Sequence, residues 1–337
     1  MEQLINALRS KAQTISSLSE RFKLSKVAVR DILKDIKLLG YMLVKHGDKY
    51  SISKELPVKP VNQVDKEHAF ISDKDNSFTF GFLGDTHLGS KYERLDVLNT
   101  MYDVFEIEGV TRVYHQGNWV DGECRLNKHD IHTHGIDGQL KYCVDNYPKR
   151  KGITTYAITG DDHEGWWAHD QGIDVGSRLE DLMYKEGRED WVCTGYMEAF
   201  IPLINVNSRK KQFLLSMHPG GGSAYAMSYK PQKIVESFSG GEKPAVLLIG
   251  HYHKLSYNLI RGVHTIQTGC TQDQTVFMRK KGLDAHVGGG ICRLSQDPKT
   301  GAIYRCRIDY MQYFNKGFYN NRWSYSGPIT KPKRSLV

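Results

Sequence analysis

Five short segments of this 337-residue chain place acidic, amide or imidazole side chains beside glycine. They are Gly84-Asp85-Thr86-His87, Gly117-Asn118-Trp119-Val120-Asp121, Gly160-Asp161-Asp162-His163-Glu164, His218-Pro219-Gly220-Gly221-Gly222 and Gly250-His251-Tyr252-His253. Each follows a short apolar run that reads as a strand, over residues 78–83, 111–115, 153–158, 212–216 and 245–249. Glycine lets a chain turn sharply as it leaves a strand. Open α/β sheets gather their sites at the carboxyl ends of strands, so the five endings are expected to meet in space. Imidazoles and carboxylates without a thiolate suit Mn, Fe or Zn in a catalytic role rather than structural zinc. One such histidine is ordinarily solvated or internally bonded; five endings in order are hard to attribute to chance.

The elements that must carry these endings fall into two parts. In the body, helices are expected over 95–105 and 138–147, and a hairpin around Asp297-Pro298-Lys299-Thr300-Gly301 completes the sheet. Ahead of it, residues 1–55 form a separate module. A helix is expected over 2–10, a second over 15–22 capped by Thr14, and a third capped by Ser25, running to Leu39 and stopped by Gly40. In the third, Val29, Ile32, Leu33 and Ile36 make one apolar stripe, and Lys26, Arg30, Lys34 and Lys37 form a basic sector beside it. A small hairpin over 41–52 turns at His46-Gly47-Asp48. Three helices followed by a hairpin resemble a winged helix-turn-helix. That resemblance implies a third helix in the major groove, with Lys45 and Lys49 of the wing near phosphates. No aromatic or amide residue lies on the basic face, so contact is expected through phosphates and to be salt-sensitive. The same face also suits plain solvation, or a module that docks protein.

Charge follows this division. Residues 1–60 hold 12 basic and 6 acidic residues, and residues 315–337 hold 5 basic and no acidic ones, although the whole chain is only +8. The body between is mildly acidic, so the ends rather than the body are expected to seek a polyanion. Residues 56–77, with two prolines and mixed charge, read as a linker, and 315–337 as a basic tail.

The order of the five endings resembles the calcineurin-like metallophosphoesterase superfamily, whose pattern is DxH, GDxxD, GNH(D/E), H and GHxH. The match runs over about 78–310, and the domain is placed at 78–314. The resemblance implies an α/β fold, a two-sheet sandwich flanked by helices, around two divalent metal ions, most readily Mn2+, with Fe, Zn or Mg as alternatives. It implies Asp85, His87 and His253 on one ion and His218 and His251 on the other. His163 would stand beside the substrate as proton donor or phosphate ligand, Glu164 would orient it, and Asp121 would support a ligand from behind. A water activated between the ions would attack phosphorus, with no protein nucleophile.

Two positions depart from the pattern. Asn118 stands where the family has a bridging Asp, and Asp162 stands where it has a ligating Asn. A carboxylate has moved from one ending to the other, and Asp162, with Asp161 as the alternative, is expected to take the bridging or charge-balancing role. A one-metal enzyme and an inactive relative are the competing readings.

Other residues near the endings read more plainly. His129-Asp130-Ile131-His132-Thr133-His134 is a surface loop or a substrate contact. Trp166, Trp167 and His169 could stack on a base or ring, with packing against the sheet the expectation for the tryptophans, and Gly220-Gly221-Gly222-Ser223 could offer amides to a phosphate. Thr268-Gly269-Cys270-Thr271 is a structural turn.

No apolar run approaches a bilayer span, the first residues lack the pattern of a signal peptide, and six scattered cysteines read as reduced thiols, so a cytoplasmic protein without membrane contact is expected. The expected activity is phosphoester hydrolysis, directed at nucleic acid and above all DNA by the basic module. A phosphomonoesterase with a protein-docking module, and a nucleic-acid-binding regulator with an inactive body, are the alternatives. A protein partner or homo-oligomer is compatible with either.

Overall fold

The computed structural model describes residues 1–53, 68–241 and 243–315. The first module contains α1 (Glu2–Ser10), β1 (Gln13–Thr14), α2 (Ile15–Phe22), α3 (Lys26–Leu38), β2 (Leu43–His46) and β3 (Lys49–Ile52), its strands ordered β1-β3-β2. Both sequence-expected caps form: Thr14 accepts from the Ser17 amide at 3.0 Å and Ser25 from the Ala28 amide at 3.1 Å. The apolar stripe of α3 (Val29, Leu33, Ile36) meets Leu4, Ile5, Leu8, Leu18 and Ile52 in a small core of its own. Lys26, Arg30, Lys34, Lys37, Lys45 and Lys49 are all exposed.

The body begins earlier than expected. Residues 68 and 69 lead into β4 (Phe70–Ile71), which pairs in parallel with β9 (Glu198–Ile204), so part of the segment read as linker is the edge of a sheet. Residues 54–67 and 316–337 lie outside the described residues, and with them most of that linker and all but the first residue of the basic tail. Then come β5 (Ser77–Leu83), α4 (Leu95–Ile107), β6 (Arg112–Gln116), α5 (Ile136–Asn146), β7 (Thr154–Thr159), α6 (Glu164–Gln171), α7 (Val175–Lys185) and β8 (Trp191–Tyr196), which precedes β9. The chain continues through β10 (Lys211–Met217), α8 (Tyr229–Ser237), β11 (Val246–Ile249), β12 (Leu255–Ile260), β13 (Val263–Thr268), α9 (Val276–Lys280), β14 (Gly288–Gln296) and β15 (Ile303–Gln312).

These strands make two mixed six-stranded sheets, β15-β14-β5-β6-β7-β8 and β12-β13-β11-β10-β9-β4. Strands β5 to β8 run parallel, as do β10, β11 and β13. Phe78, Phe80 and Phe82, two residues apart, put one face of β5 into the core shared with Leu214, Val246, Leu248 and Ile266 of the other sheet. The opposite face of the first sheet is covered by Leu98, Met101 and Phe105 of α4, Leu140 and Val144 of α5 and Leu179 of α7. Gly81 is part of that fit, because a Cβ there would lie 2.9 Å from the Phe105 ring. The expected hairpin at 297–301 joins β14 to β15. Among the described residues no helix is long and apolar enough to cross a membrane.

The first module is seated on the body at the far end of α6. Arg9 donates to the Gln171 carbonyl at 2.7 Å, the Met42 amide to Gly172 at 3.4 Å, and the Asp174 amide to Gly40 at 2.6 Å. Helix α6 starts directly after His163, and eight residues at about 1.5 Å each put its two ends about 12 Å apart.

Candidate metal centre

The five endings do converge, from both sheets. Loops leaving β5, β6 and β7 face loops leaving β10 and β11, and three ligand-bearing groups result: Asp85 with His87 and His253; Asp161 and Asp162 with His218 and His251; His87 with Asp121 and His163. His253 Nε2 lies 3.4 Å from Asp85 Oδ1 and 3.1 Å from His87 Nε2. His218 Nε2 lies 3.2 Å from Asp162 Oδ1, and His251 Nδ1 lies 3.6 Å from Asp162 Oδ2.

The turns that aim these side chains are made differently from the expectation. Gly117 does turn, with φ +82°, but Gly84, Gly160 and Gly250 are not left-handed. The left-handed backbone falls on the site residues themselves: Asp85, His87, Asn118, His163, His251 and His253 have φ between 47° and 74°. Such a conformation costs an ordinary side chain about 1–2 kcal/mol, and strain of this kind collects where function over-determines the geometry. Glycine instead clears space. A Cβ on Gly160 would stand 2.4 Å from Asn118 Oδ1, and one on Gly250 would stand 2.3 Å from the Gln116 carbonyl oxygen.

Hydrogen bonds on the outer side of the rings fix which nitrogen points inward. His87 Nδ1 is 2.9 Å from Asp121 Oδ1, so it carries the proton and Nε2 presents a lone pair to His253. His218 Nδ1 donates to the Gln116 carbonyl at 2.5 Å, which turns its Nε2 lone pair toward Asp162. His251 Nε2 donates to the Gly221 carbonyl at 2.6 Å, which leaves Nδ1 facing Asp162. Lone pairs facing one another and facing carboxylate oxygens repel unless a cation or proton lies among them. The buried Asn118 Oδ1, Asp161 Oδ1, His251 Nδ1 and His253 Nδ1 have no hydrogen-bond partner. The donor set therefore fits divalent metal ions.

The charges agree. Burial favours neutral Asp162, but the charges of His163, His218 and His251 hold its carboxyl far below the usual range. Burial lowers His218, yet the Asp162 hydrogen bond and the charges of Asp85 and Asp162 raise it to about 9. Burial, then His163 and His253, push His87 well below 6.5, which keeps it a neutral donor. Burial also raises Asp121 to about 7, against the charge of His163.

Glu164 differs from its expected role. It does not contact His163; its Oε1 accepts from the Asn118 and Gly160 amides, both at 2.8 Å, and so ties the second ending to the third. His163 is held instead by its Nδ1, 2.7 Å from the Asp121 carbonyl oxygen, and by stacking on Trp166 with centroids 4.7 Å apart. Burial outweighs the Gly160 hydrogen bond and raises Glu164 from 4.5 to about 8. The folded state thus holds this proton more tightly than the unfolded chain, and that stabilisation is full below 4.5 and lost as pH rises through about 8. In metal-free protein, Glu164→Gln should flatten the fall in stability across this window by on the order of 5 kcal/mol, read from urea unfolding at a series of pH values. An unchanged profile would show the carboxyl ionised throughout.

The remaining residues divide. His132 turns away to Glu93 at 3.2 Å and His134 pairs with Glu123 at 3.3 Å, so the HxH stretch is a loop outside the centre. Trp167 is buried in the helix-side core, while Trp166 is half-buried against His163. Of the glycines after His218, Gly221 gives its carbonyl to His251. The Thr271 amide donates to the Asp85 carbonyl at 3.1 Å, as a structural turn would. Lys26, Arg30, Lys34, Lys37, Lys45 and Lys49 are exposed and belong to none of the three ligand-bearing groups. Sequence reasoning missed Gln272, whose amide reaches Asp121 Oδ1 at 3.4 Å and Ser90 Oγ at 3.1 Å; nothing in its surroundings marked it.

No protein-family model matches the chain, and no curated protein matches it. Among solved structures it is similar to an archaeal phosphodiesterase, at 14% identity over 69% of this chain and 100% of that one, with a TM-score of 0.35. It is similar to a protein of Streptococcus pneumoniae TIGR4 described as a predicted phosphoesterase, at 12% identity over 70% and 98% of the two chains, TM-score 0.32. Zinc-complexed Vps29 from Entamoeba histolytica shows 10% identity over 70% and 99%, TM-score 0.33.

Proposed function

We propose that the chain is a metal-dependent phosphoesterase that hydrolyses phosphodiester bonds in nucleic acid, DNA first. One observation carries the reading: two donor groups, Asp85-His87-His253 and Asp161-Asp162-His218-His251, in each of which the carboxylate oxygens and ring nitrogens lie within 4.8 Å of one another. Asn118, with its unpartnered buried oxygen, belongs with them. Divalent ions bound there would supply the charge that activates water and polarises phosphoryl oxygens. His163 has its Nδ1 on a carbonyl and, at 22%, a more exposed side chain than His251 at 14% or His253 at 11%, so its Nε2 can give a proton to a leaving oxygen. Asp121 holds the His87 ring in its ligating tautomer.

The nucleic-acid preference rests on the first module, read as a winged helix-turn-helix from three helices followed by a hairpin, with Lys26, Arg30, Lys34, Lys37, Lys45 and Lys49 exposed. The module's seat, where Arg9 meets the Gln171 carbonyl, is at the end of the helix that starts after His163. A substrate panel with Mn2+, Mg2+ and Zn2+ tests the reading. Hydrolysis of bis(4-nitrophenyl) phosphate and of DNA is expected; hydrolysis of 4-nitrophenyl phosphate alone would make the protein a monoesterase. DNA binding without hydrolysis under any metal would make it a regulator.

A further inference from the structure

A cleft of about 420 Å3 opens beside the metal centre, between the loop after Gly222, the strand exit at Tyr252 and the turn after α9. The volume lies within the range of about 300–1,000 Å3 of pockets that take small organic groups. Its chemistry is one-sided. Lys230, Lys254 and Lys281 line it, and no carboxylate does. Lys254 Nζ donates to the Asp284 backbone carbonyl at 3.0 Å, which leaves its charge uncompensated, and neither Lys230 nor Lys281 forms an ion pair among the described residues. Tyr225 stands fully exposed at the rim, whereas Tyr252 is buried in the floor with its ring 5.1 Å from that of His251.

The cleft is joined to the centre rather than merely near it. Gly221, where the loop begins, holds the His251 ring through its carbonyl. Gln267 pins the middle of the loop by donating to the Met227 carbonyl at 3.1 Å. A substrate with a single phosphate would place it at the metal ligands and leave these three ammonium groups unused. Several cations lining one cleft are rewarded by a ligand with further phosphates, and an exposed aromatic face is rewarded by a base that is not already stacked in a duplex.

We propose that this cleft binds the stretch of single-stranded polynucleotide next to the bond being cut, with Lys230, Lys254 and Lys281 on its phosphates and Tyr225 stacked on a base. The inference builds on the phosphoesterase reading of the adjacent centre and names its substrate class. The test is binding of fluorescein-labelled oligothymidylate to the full chain in metal-free buffer, by anisotropy, across a series of potassium chloride concentrations. Circular dichroism confirms that each variant is folded. For Lys230→Ala/Lys254→Ala/Lys281→Ala, the slope of log affinity against log salt should fall by about 2, roughly 0.7 per lost phosphate contact. Tyr225→Ala should weaken single-strand binding about tenfold and Tyr225→Phe by less than about twofold, with a duplex of equal length insensitive to both. An unchanged slope, an equal loss on duplex, or equally good competition by an acidic phosphopeptide overturns the proposal. Wild-type hydrolysis of bis(4-nitrophenyl) phosphate with Mn2+ reads the centre separately. A reduced slope without that hydrolysis keeps the cleft and rejects the phosphoesterase, while hydrolysis with an unchanged slope does the reverse.

Discussion

With His163 replaced by asparagine, the protein should keep its fold and its bound metal and lose about 10²- to 10⁴-fold in phosphodiester turnover. Asparagine is the fitting substitute because it accepts the left-handed backbone that His163 adopts, φ 55°, better than alanine does. The ring packs on Trp166 and against the edge of His87, centroids 4.3 Å apart, so its position is fixed without its being a ligand of either donor group. A fall in kcat with KM and metal content unchanged is the expected signature, since a proton donor acts in the transition state. A substrate whose leaving group needs no proton, such as a nitrophenolate, should lose least. Turnover equal to wild type on all substrates would remove His163 from the chemistry.

The second large effect concerns the exchanged pair. Asp162 reaches both His218 and His251, and Asn118 offers a buried, unpartnered amide oxygen within 2.4 Å of where a Cβ on Gly160 would be. Asp162→Asn removes the carboxylate that balances two imidazoles, and should weaken metal binding and turnover by about 100-fold or more. Asn118→Asp alone adds a third carboxylate to a site already holding Asp161 and Asp162, and should raise the cost of the metal-free state. Made together, the changes restore the formal charge, and turnover should return to within about tenfold of wild type. Turnover in the double variant no better than in either single one would end the compensation argument.

How far the residues announced this arrangement varies with the physical signal. Helices α2 and α3 were legible because their caps and apolar stripes are local: Thr14, Ser25 and the Val29-Leu33-Ile36 face suffice. The strands ending in site residues were legible because each is an apolar run cut short by glycine. Strands β8, β9, β12 and β13 were not, because their pairing is decided by partners far along the chain. Strand β4 is two residues long and takes its structure wholly from β9. At the centre, residue type gave the candidate ligands but not the turns, since nothing in a histidine or aspartate announces a left-handed φ. The second partners of the rings were hidden for another reason. Gln116 and Gly221 act through backbone carbonyls, which every residue possesses. Glu164 was expected from the resemblance to orient His163, whereas its carboxylate accepts from the Asn118 and Gly160 amides.

The most direct measurement is the count of metal ions retained per chain, by elemental analysis after equilibration with Mn2+ and removal of free ion. Two ions are expected for the wild type and one after His253→Asn, which keeps the left-handed turn but withdraws a ring from Asp85 and His87. A wild-type chain that retains none, or a count that His253→Asn leaves unchanged, would contradict a centre built from these residues.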